Sequence, residues 1–280
     1  MKRTLIIGAT GNLGRQVISQ LLAMNIPVRA LARNPDAANL PATLYRCLID
    51  VEVVFLVWGA AATTDAPALA RIAMPVKRVV FLSSPHRIAH PFFQKAGWRP
   101  GQPMANPAAA LHGEIERLIV ASGLQWTFLR PGMFAANTRL WWGQKIRAGE
   151  VVRWPYASAI TAPIHERDIA AVAARMLSED CHHGEDHVLT GPQSLTQFQQ
   201  VSIIAEVVGC PVRFEEISPE EACRELLPLM PPPVIKMLLN AWAASIGQPA
   251  FVTSAVADIT GAPARTFRDW VIDHADEFRG

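Results

Sequence analysis

The sequence has few cysteines, and none of them lies in a CxxC pair. The four residues are Cys47, Cys181, Cys210 and Cys223, and they are spread over most of the chain. Isolated cysteines of this kind indicate reduced thiols, so we expect a cytoplasmic protein.

The sequence has neither a large excess of charge of one sign nor a long apolar run. The formal net charge is +2 without any block of lysine or arginine, so we expect no nucleic-acid partner. The longest apolar runs, at 53–62 and 234–246, are too short or too interrupted to cross a bilayer, so we expect no membrane partner. The chain opens directly on an apparent strand, and we expect no signal peptide. Half of the residues are hydrophobic, which predicts a sizeable core.

Three glycines at three-residue spacing follow the first apolar run, at 5–7, and apolar residues then recur at helical period over 17–22. In a strand–turn–helix unit the first glycine allows a tight turn, the second lets backbone approach a diphosphate, and the third lets the helix pack on the sheet. The free N–H groups at the helix start face an anion. An ordinary strand-to-helix turn is the alternative. The predicted dinucleotide-binding residues are Gly8, Thr10, Gly11, Asn12, Leu13 and Gly14.

Apolar strands alternate with helical segments along most of the chain. This order predicts an α/β fold with a doubly wound, Rossmann-type, mostly parallel sheet. Ligands bind beyond the carboxyl ends of the strands in such a sheet. The residues that follow five of the strands are therefore expected to converge on one crevice: Gly8, Arg33, Trp58, Ser83 and Pro131.

Arg33 follows the second strand, where a basic side chain meets a ribose 2′-phosphate. It favours NADP(H) over NAD(H), and a solvated loop arginine is the alternative.

Only about twenty residues separate the second strand from the next apolar strand, at 53–57, which is too few for a helix, a strand and a helix. We expect the third, edge strand to be missing and the adenine side of the cofactor site to be open.

Five segments together resemble the NmrA-like, atypical branch of the short-chain dehydrogenase/reductase superfamily. They are GATGNLG at 8–14, RALARNP at 29–35, VVFLSS at 79–84, LHGEIERLIVASGLQWTFLRPGMFAAN at 111–137 and PIHERDIAAVAARML at 163–177. The resemblance implies an NAD(P)-binding Rossmann domain at 1–150, to which 163–178 returns. It also implies a smaller α/β lobe at 151–280 over the substrate cleft. Similar proteins include NADPH-dependent reductases, redox sensors and proteins without known chemistry.

Active members of the wider superfamily carry Tyr-x-x-x-Lys on the helix after the serine strand. Neither Tyr45 nor Tyr156 has a lysine four residues later, and the matching positions hold His112 and Glu116. One helical turn separates these two residues, so Glu116 would orient His112 or accept from a ribose hydroxyl. His112 would then act as acid or base near neutral pH. A purely structural pair is the alternative.

Further side chains are expected around the nicotinamide and the substrate. Pro131 and Met133 would lie beside the nicotinamide, and Ser83 or Ser84 would polarise a substrate oxygen. A pocket for a flat, apolar substrate would be lined by Phe92, Phe93, Trp98, Phe134, Trp141, Trp142 and His165. Core packing is the alternative for the aromatic residues, and a structural role near a helix start is the alternative for His165. The segment 181–187 contains cysteine and histidine without a metal-ligand spacing, so no metal site is expected.

These patterns lead to three hypotheses about function. The first is an NADPH-dependent reductase of a hydrophobic small molecule, such as a quinone, an enone or a polyketide-like compound. The second is a non-redox isomerase, cyclase or dehydratase on the same scaffold, and the third is a non-catalytic NADP(H) sensor. All three share one fold, which does not decide between them. A small hydrophobic substrate is the expected partner, and a homodimer is left open.

Overall fold

The computed structural model describes residues 3–31, 48–57, 76–85, 90, 93 and 107–280, with the backbone alone at 107–109. Elements are numbered here in chain order over these residues. The strands are β1 (Arg3–Ile7), β2 (Val28–Leu31), β3 (Val51–Val57), β4 (Arg78–Leu82), β5 (Gln125–Pro131), β6 (Val152–Trp154), β7 (Ile160–Thr161), β8 (Glu185–Leu189), β9 (Leu195–Thr196) and β10 (Phe214–Glu216). The helices are α1 (Asn12–Ala23), α2 (Pro107–Ala121), α3 (Asn137–Arg147), α4 (Glu166–Ser178), α5 (Gln197–Val208), α6 (Pro219–Leu226), α7 (Pro232–Ser245), α8 (Ala255–Thr260) and α9 (Phe267–Asp273).

Six strands form one parallel sheet in the order β2-β1-β3-β4-β5-β8. From β1 the chain passes to β2 on one side and then to β3 on the other side, so the direction of winding reverses between β1 and β3. Such a reversal, at the carboxyl ends of the strands, is where α/β sheets bind ligands. The doubly wound parallel sheet predicted from the sequence is confirmed.

Consecutive residues of the central strands enter opposite hydrophobic layers, because successive side chains of a strand point to opposite faces. Val53 and Phe55 pack in one layer with α1 and α4, whereas Val54 and Leu56 pack in the other layer with α2. All four side chains are at most 3% exposed. Burial on both faces explains why β3 is a continuous apolar run in the sequence.

A third hydrophobic cluster lies in the C-terminal part of the chain and is built around tryptophans. The rings of Trp141, Trp142, Trp154 and Trp242 contact one another, with centroids 5.4 to 6.0 Å apart. Two small strand pairs flank this cluster, β6 with β10 and β7 with β9. The residues of α9 complete it, so the end of the chain belongs to a core.

The expectations of a missing edge strand and of no membrane-spanning helix are compared here with the residues that the structure describes. Residues 32–47, where a third edge strand would be sought, lie outside them, so the missing strand stays a prediction. Among the residues that the structure does describe, every helix is too short or too polar to cross a membrane.

Candidate functional site

The glycine turn after β1 depends on two residues that lack side chains. Gly8 has a φ of +87°, a left-handed conformation that glycine adopts without strain. A Cβ atom on Gly14 would lie 2.2 Å from the carbonyl oxygen of Gly8, so α1 approaches the turn only because residue 14 is glycine. The N–H groups of Gly8 and Ala9 donate to the carbonyl oxygen of Leu31 at 3.1 and 3.2 Å, which fixes the turn to the end of β2.

The N-terminus of α1 is suited to an anion. Gly11 is the N-cap residue, no side chain caps the helix, and its first turn contains no acidic residue. The first N–H groups of a helix lack intrahelical partners and carry a partial positive charge. Thr10, Gly11 and Asn12 are exposed, whereas the Leu13 side chain packs in the core and leaves only its backbone for a ligand. A diphosphate fits this narrow cradle of backbone.

Glu166, the first residue of α4, holds the start of α1 against the C-terminal segment. Its carboxylate accepts hydrogen bonds from Asn12 Nδ2 at 3.1 Å and from Trp270 Nε1 at 2.8 Å. His274 Nε2 lies 3.1 Å from Glu166 Oε1. Burial alone would raise the pKa of Glu166, but hydrogen bonds with neighbouring imidazoles and with Asn12 hold that pKa well below its usual range. The charge is therefore fixed in place, fully buried.

A cleft of about 380 Å³ opens beyond the carboxyl ends of β4 and β5. The structure brings together seven of the sequence-predicted site residues around it: Ser83, Ser84, Phe93, His112, Pro131, Met133 and Phe134. Residues that the sequence reasoning missed complete the wall: Leu82, Pro85, Gly132, Asn137, Met237, Leu238 and Ala241. Most of this wall is apolar, with serine, histidine and asparagine as its polar groups.

A buried ion pair between Glu116 and Arg130 lies next to Ser83 in the wall of the cleft. Ser83 Oγ donates to Glu116 Oε1 at 2.5 Å, and Arg130 Nη2 donates to Glu116 Oε2 at 3.0 Å. Arg130 also lies 3.1 Å from a carboxylate oxygen of Asp186 on β8. Glu116 is 0% exposed, so the expectation that it meets a ribose hydroxyl is wrong for this arrangement. Its carboxylate instead neutralises Arg130 and orients Ser83.

The structure corrects two further assignments to the substrate pocket. Trp141 and Trp142 do not line the cleft but lie in the tryptophan cluster, 5% and 0% exposed. Large apolar rings occur both in cores and in pocket walls, so their aromatic character could not show which of the two they occupy. Their partner Trp242 is a hundred residues away along the chain, beyond the reach of any local pattern.

His165 is also buried away from the cleft. Its Nδ1 accepts from the backbone N–H of Arg167 at 3.2 Å, so the imidazole caps α4. Its Nε2 lies 3.1 Å from Asp273 Oδ2. Asp168 in the same helix accepts from the backbone N–H of Arg265 at 2.7 Å. These residues attach the C-terminal segment to α4 and have a structural role.

Four predicted site residues lie outside the described residues: Arg33, Trp58, Phe92 and Trp98. Arg130 and Glu166 were missed by the sequence reasoning, although each stands inside a motif used for the resemblance. The signal for Arg130 was a charged residue in an otherwise apolar stretch, which indicates a buried and paired charge. Glu166 lies among other ionisable residues and carried no such signal.

Comparisons with known proteins agree with this geometry. A family model described as NAD(P)H-binding matches residues 8–180. A (4-alkanoyl-5-oxo-2,5-dihydrofuran-3-yl)methyl phosphate reductase from Streptomyces griseus is 35% identical over 98% of each chain. An NAD(P)H azoreductase from Xenophilus azovorans is 27% identical, also over 98% of each chain. The crystal structure of the Escherichia coli NADPH-dependent quinone oxidoreductase QOR2 with NADPH is similar in fold, with a TM-score of 0.73, 23% identity and coverage of 97% of this chain and 99% of that chain.

Proposed function

Because this chain belongs to the NmrA-like family of NAD(P)H-binding reductases, we propose that it uses NADPH to reduce a hydrophobic small molecule bound in the cleft beside Ser83 and His112. The position of the cleft carries the proposal. It opens at the carboxyl ends of β4 and β5, the same edge of the sheet at which β1 ends in the glycine turn. Cofactor and substrate would therefore share one crevice.

Backbone groups of the glycine turn would hold the cofactor diphosphate, with Pro131 and Met133 beside the nicotinamide end. Bound NADPH supplies a hydride. Arg33 supports NADP(H) over NAD(H), because it follows the end of β2 by two residues and β2 is hydrogen-bonded to the turn. Trp58 follows β3 directly and is proposed as a further cofactor contact. An open adenine side remains part of this proposal.

His112 is proposed as the proton donor because it combines a titratable ring with a place in the cleft wall. Ser83 has a different task. Its hydroxyl proton is held by the carboxylate of Glu116, so its oxygen offers lone pairs to the cleft and accepts a hydrogen bond. Polarisation of a substrate carbonyl needs a donor, and His112 and Ser84 are proposed for that role, with the amide of Asn137 as a further donor in the wall. Glu116 acts through Ser83 as a positioning residue.

The substrate class proposed here is a conjugated, mostly apolar carbonyl compound such as an alkanoyl butenolide or a quinone. The reduction adds one hydride and one proton across the conjugated system, and NADPH becomes NADP⁺. The 35%-identical relative is named as a reductase of a butenolide phosphate, which contains such a system. Phe93, Met133, Phe134 and Leu238 supply apolar walls for its rings and chains.

The proposal is tested by following NADPH oxidation with an alkanoyl butenolide phosphate, a quinone and an azo dye as acceptors. His112→Ala is expected to lower kcat by about 100-fold, the usual effect of losing a general acid. NADPH should raise the melting temperature of both forms equally, since His112 does not hold the diphosphate. His90→Ala is the matched control, because His90 is close to Phe93 but is not part of this cleft wall.

Two results would overturn the proposed function. Turnover that persists without any nicotinamide cofactor and is lost in His112→Ala would establish the non-redox enzyme instead. Binding of NADPH without oxidation in the presence of every acceptor would favour the sensor.

Three wider expectations accompany the proposal. The return of 163–178 to the proposed domain at 1–150 is supported by the packing of α4 against α1. The proposed lobe at 151–280 does not account for β8, which lies in the six-stranded sheet, nor the domain at 1–150 for α3, which packs in the tryptophan cluster. A cytoplasmic location is supported by the unbridged thiols of Cys181, Cys210 and Cys223. A homodimer is tested by light scattering at several protein concentrations.

A further inference from the structure

The turn between α4 and β8 gathers side chains that bind transition metals. Glu179, Cys181 and His182 form one group and His182, Glu185 and His187 form a second, and within each group the ligand atoms lie within 4.8 Å of one another. His182 belongs to both groups. None of these residues belongs to the wall of the substrate cleft, so they form a separate site.

Donor atoms of the second group lie in short contact with one another. Glu185 Oε2 lies 2.9 Å from His182 Nδ1 and 3.3 Å from His187 Nε2. The two imidazole rings are 5.3 Å apart and nearly perpendicular, at 80°. Ligand atoms on one tetrahedral Zn²⁺ ion are about 3.3 Å apart, given Zn–N and Zn–O distances of about 2.0 Å. Small side-chain rotations would therefore bring three donors onto one ion.

The backbone holds these donors in place before any ion binds. Glu185 and His187 are alternate residues of β8, so their side chains leave the same face of the strand. His182 has a φ of +63°, which is uncommon for a residue with a side chain. Its carbonyl oxygen accepts from Thr127 Oγ1 at 2.8 Å, and the N–H of Gly184 donates to the carbonyl oxygen of Trp126 at 2.8 Å. The turn is thereby fixed to β5.

We infer that His182, Glu185 and His187 bind one Zn²⁺ ion. Two imidazoles and one carboxylate form a donor set that zinc takes in proteins, and water fills the remaining position. Imidazole nitrogens favour such borderline cations over Mg²⁺ and Ca²⁺, which prefer oxygen donors. Local sequence spacing gave no zinc motif, because one ligand comes from a turn and two come from a strand.

Binding is measured on the full-length, tag-free protein by isothermal titration with Zn²⁺. One equivalent is expected to bind, and Zn²⁺ is expected to raise the melting temperature, since the three donors converge only in the folded chain. His187→Ala should weaken Zn²⁺ binding by at least about tenfold, the smallest effect usual for lost support of a metal site. His183→Ala is the matched control, because His183 is an exposed neighbour outside both groups, and its affinity should stay within about twofold of wild type.

Three outcomes would overturn the inference. The first is Zn²⁺ affinity that is equal in His187→Ala and wild type. The second is equal loss in His183→Ala and His187→Ala, which indicates nonspecific surface binding. The third is loss in Cys181→Ser without loss in His187→Ala, which assigns the ion to the group of Glu179, Cys181 and His182. Circular dichroism of each variant shows that the fold is retained, and NADPH turnover does not enter the test.

Discussion

Asn12 Nδ2 donates a hydrogen bond to Glu166 Oε1 over 3.1 Å and joins the first residue of α1 to the first residue of α4. The same carboxylate accepts from Trp270 on α9, so three helices meet at one buried charge. The helix start that faces the proposed diphosphate is therefore held from behind by residues distant in sequence.

Asn12→Ala is expected to weaken NADPH binding and to lower the free energy of unfolding by about 1 kcal/mol. The variant removes one hydrogen bond to a charged acceptor, at a site where water replaces part of it. Fluorescence titration with NADPH and urea unfolding measure the two effects. Ser19→Ala, an exposed change on the same helix, should leave both values unchanged. Equal NADPH affinity in Asn12→Ala and wild type would contradict the prediction.

His274 is expected to make stability depend on pH. Burial lowers its pKa, but hydrogen bonds to Glu166 and to the carbonyl oxygen of Trp270 outweigh burial and raise the pKa above the ordinary 6.5. The group then stabilises the fold fully below that value, and this contribution is lost as the pH rises through the raised pKa. The difference in unfolding free energy between wild type and His274→Gln should be larger near about pH 6 than near about pH 9.

Urea unfolding at the two pH values provides the measurement. His183→Gln, which alters an exposed imidazole, is the matched control. A His274→Gln difference that grows as the pH rises would refute the assigned direction of the pKa shift.

Gly14→Ala should be harmful and Gly143→Ala favourable to the folded protein, although both glycines lie inside helices. A Cβ atom on Gly14 would meet backbone at 2.2 Å, so α1 must move away from the turn that precedes it. A Cβ atom on Gly143 meets nothing closer than 3.8 Å. We expect Gly14→Ala to abolish NADPH binding and Gly143→Ala to raise stability by up to about 1 kcal/mol. Thermal unfolding with and without NADPH separates the two, and retained cofactor binding in Gly14→Ala would contradict the account of the turn.

Trp142→Ala should affect mainly the stability of the fold, whereas Phe134→Ala should affect mainly the binding of substrate. Trp142 is 0% exposed, so its removal should lower the free energy of unfolding by about 3–5 kcal/mol and leave KM for the substrate unchanged. Phe134 lies in the cleft wall, so Phe134→Ala should raise KM. The comparison uses urea unfolding and steady-state kinetics below the melting temperature of the weaker variant. If KM rises in Trp142→Ala and not in Phe134→Ala, the tryptophan contacts the substrate and the assignment to the core is wrong.

Local sequence carried much of the fold because the central strands are apolar on both faces and glycine turns separate them from helices. The carboxyl-end rule also placed Ser83 and Pro131 at one cleft without any knowledge of the loops between them. The prediction was possible because an alternating βαβ pattern determines that the strands are parallel, so that their carboxyl ends lie at one edge of the sheet.

Side-chain partners were the part that the sequence could not supply. The spacing of His112 and Glu116 indicated a pair on one helix, but it could not show that the carboxylate of Glu116 binds Ser83, 33 residues earlier, and Arg130, 14 residues later. Periodicity describes which face of an element is buried, but it does not say which distant element covers that face. The contacts of Glu166 with Asn12 and Trp270 were hidden for the same reason.

The burial of α9 in the tryptophan cluster has a consequence for synthesis of the protein in the cell. Phe267, Trp270 and Phe278 leave the ribosome after all six strands of the parallel sheet, yet they complete the tryptophan cluster, and Trp270 supplies a donor to Glu166. N-terminal segments fold first during translation, so the tryptophan cluster would keep an unfinished apolar surface until these residues emerge. A nascent chain stalled before residue 267 should therefore be a client for chaperones.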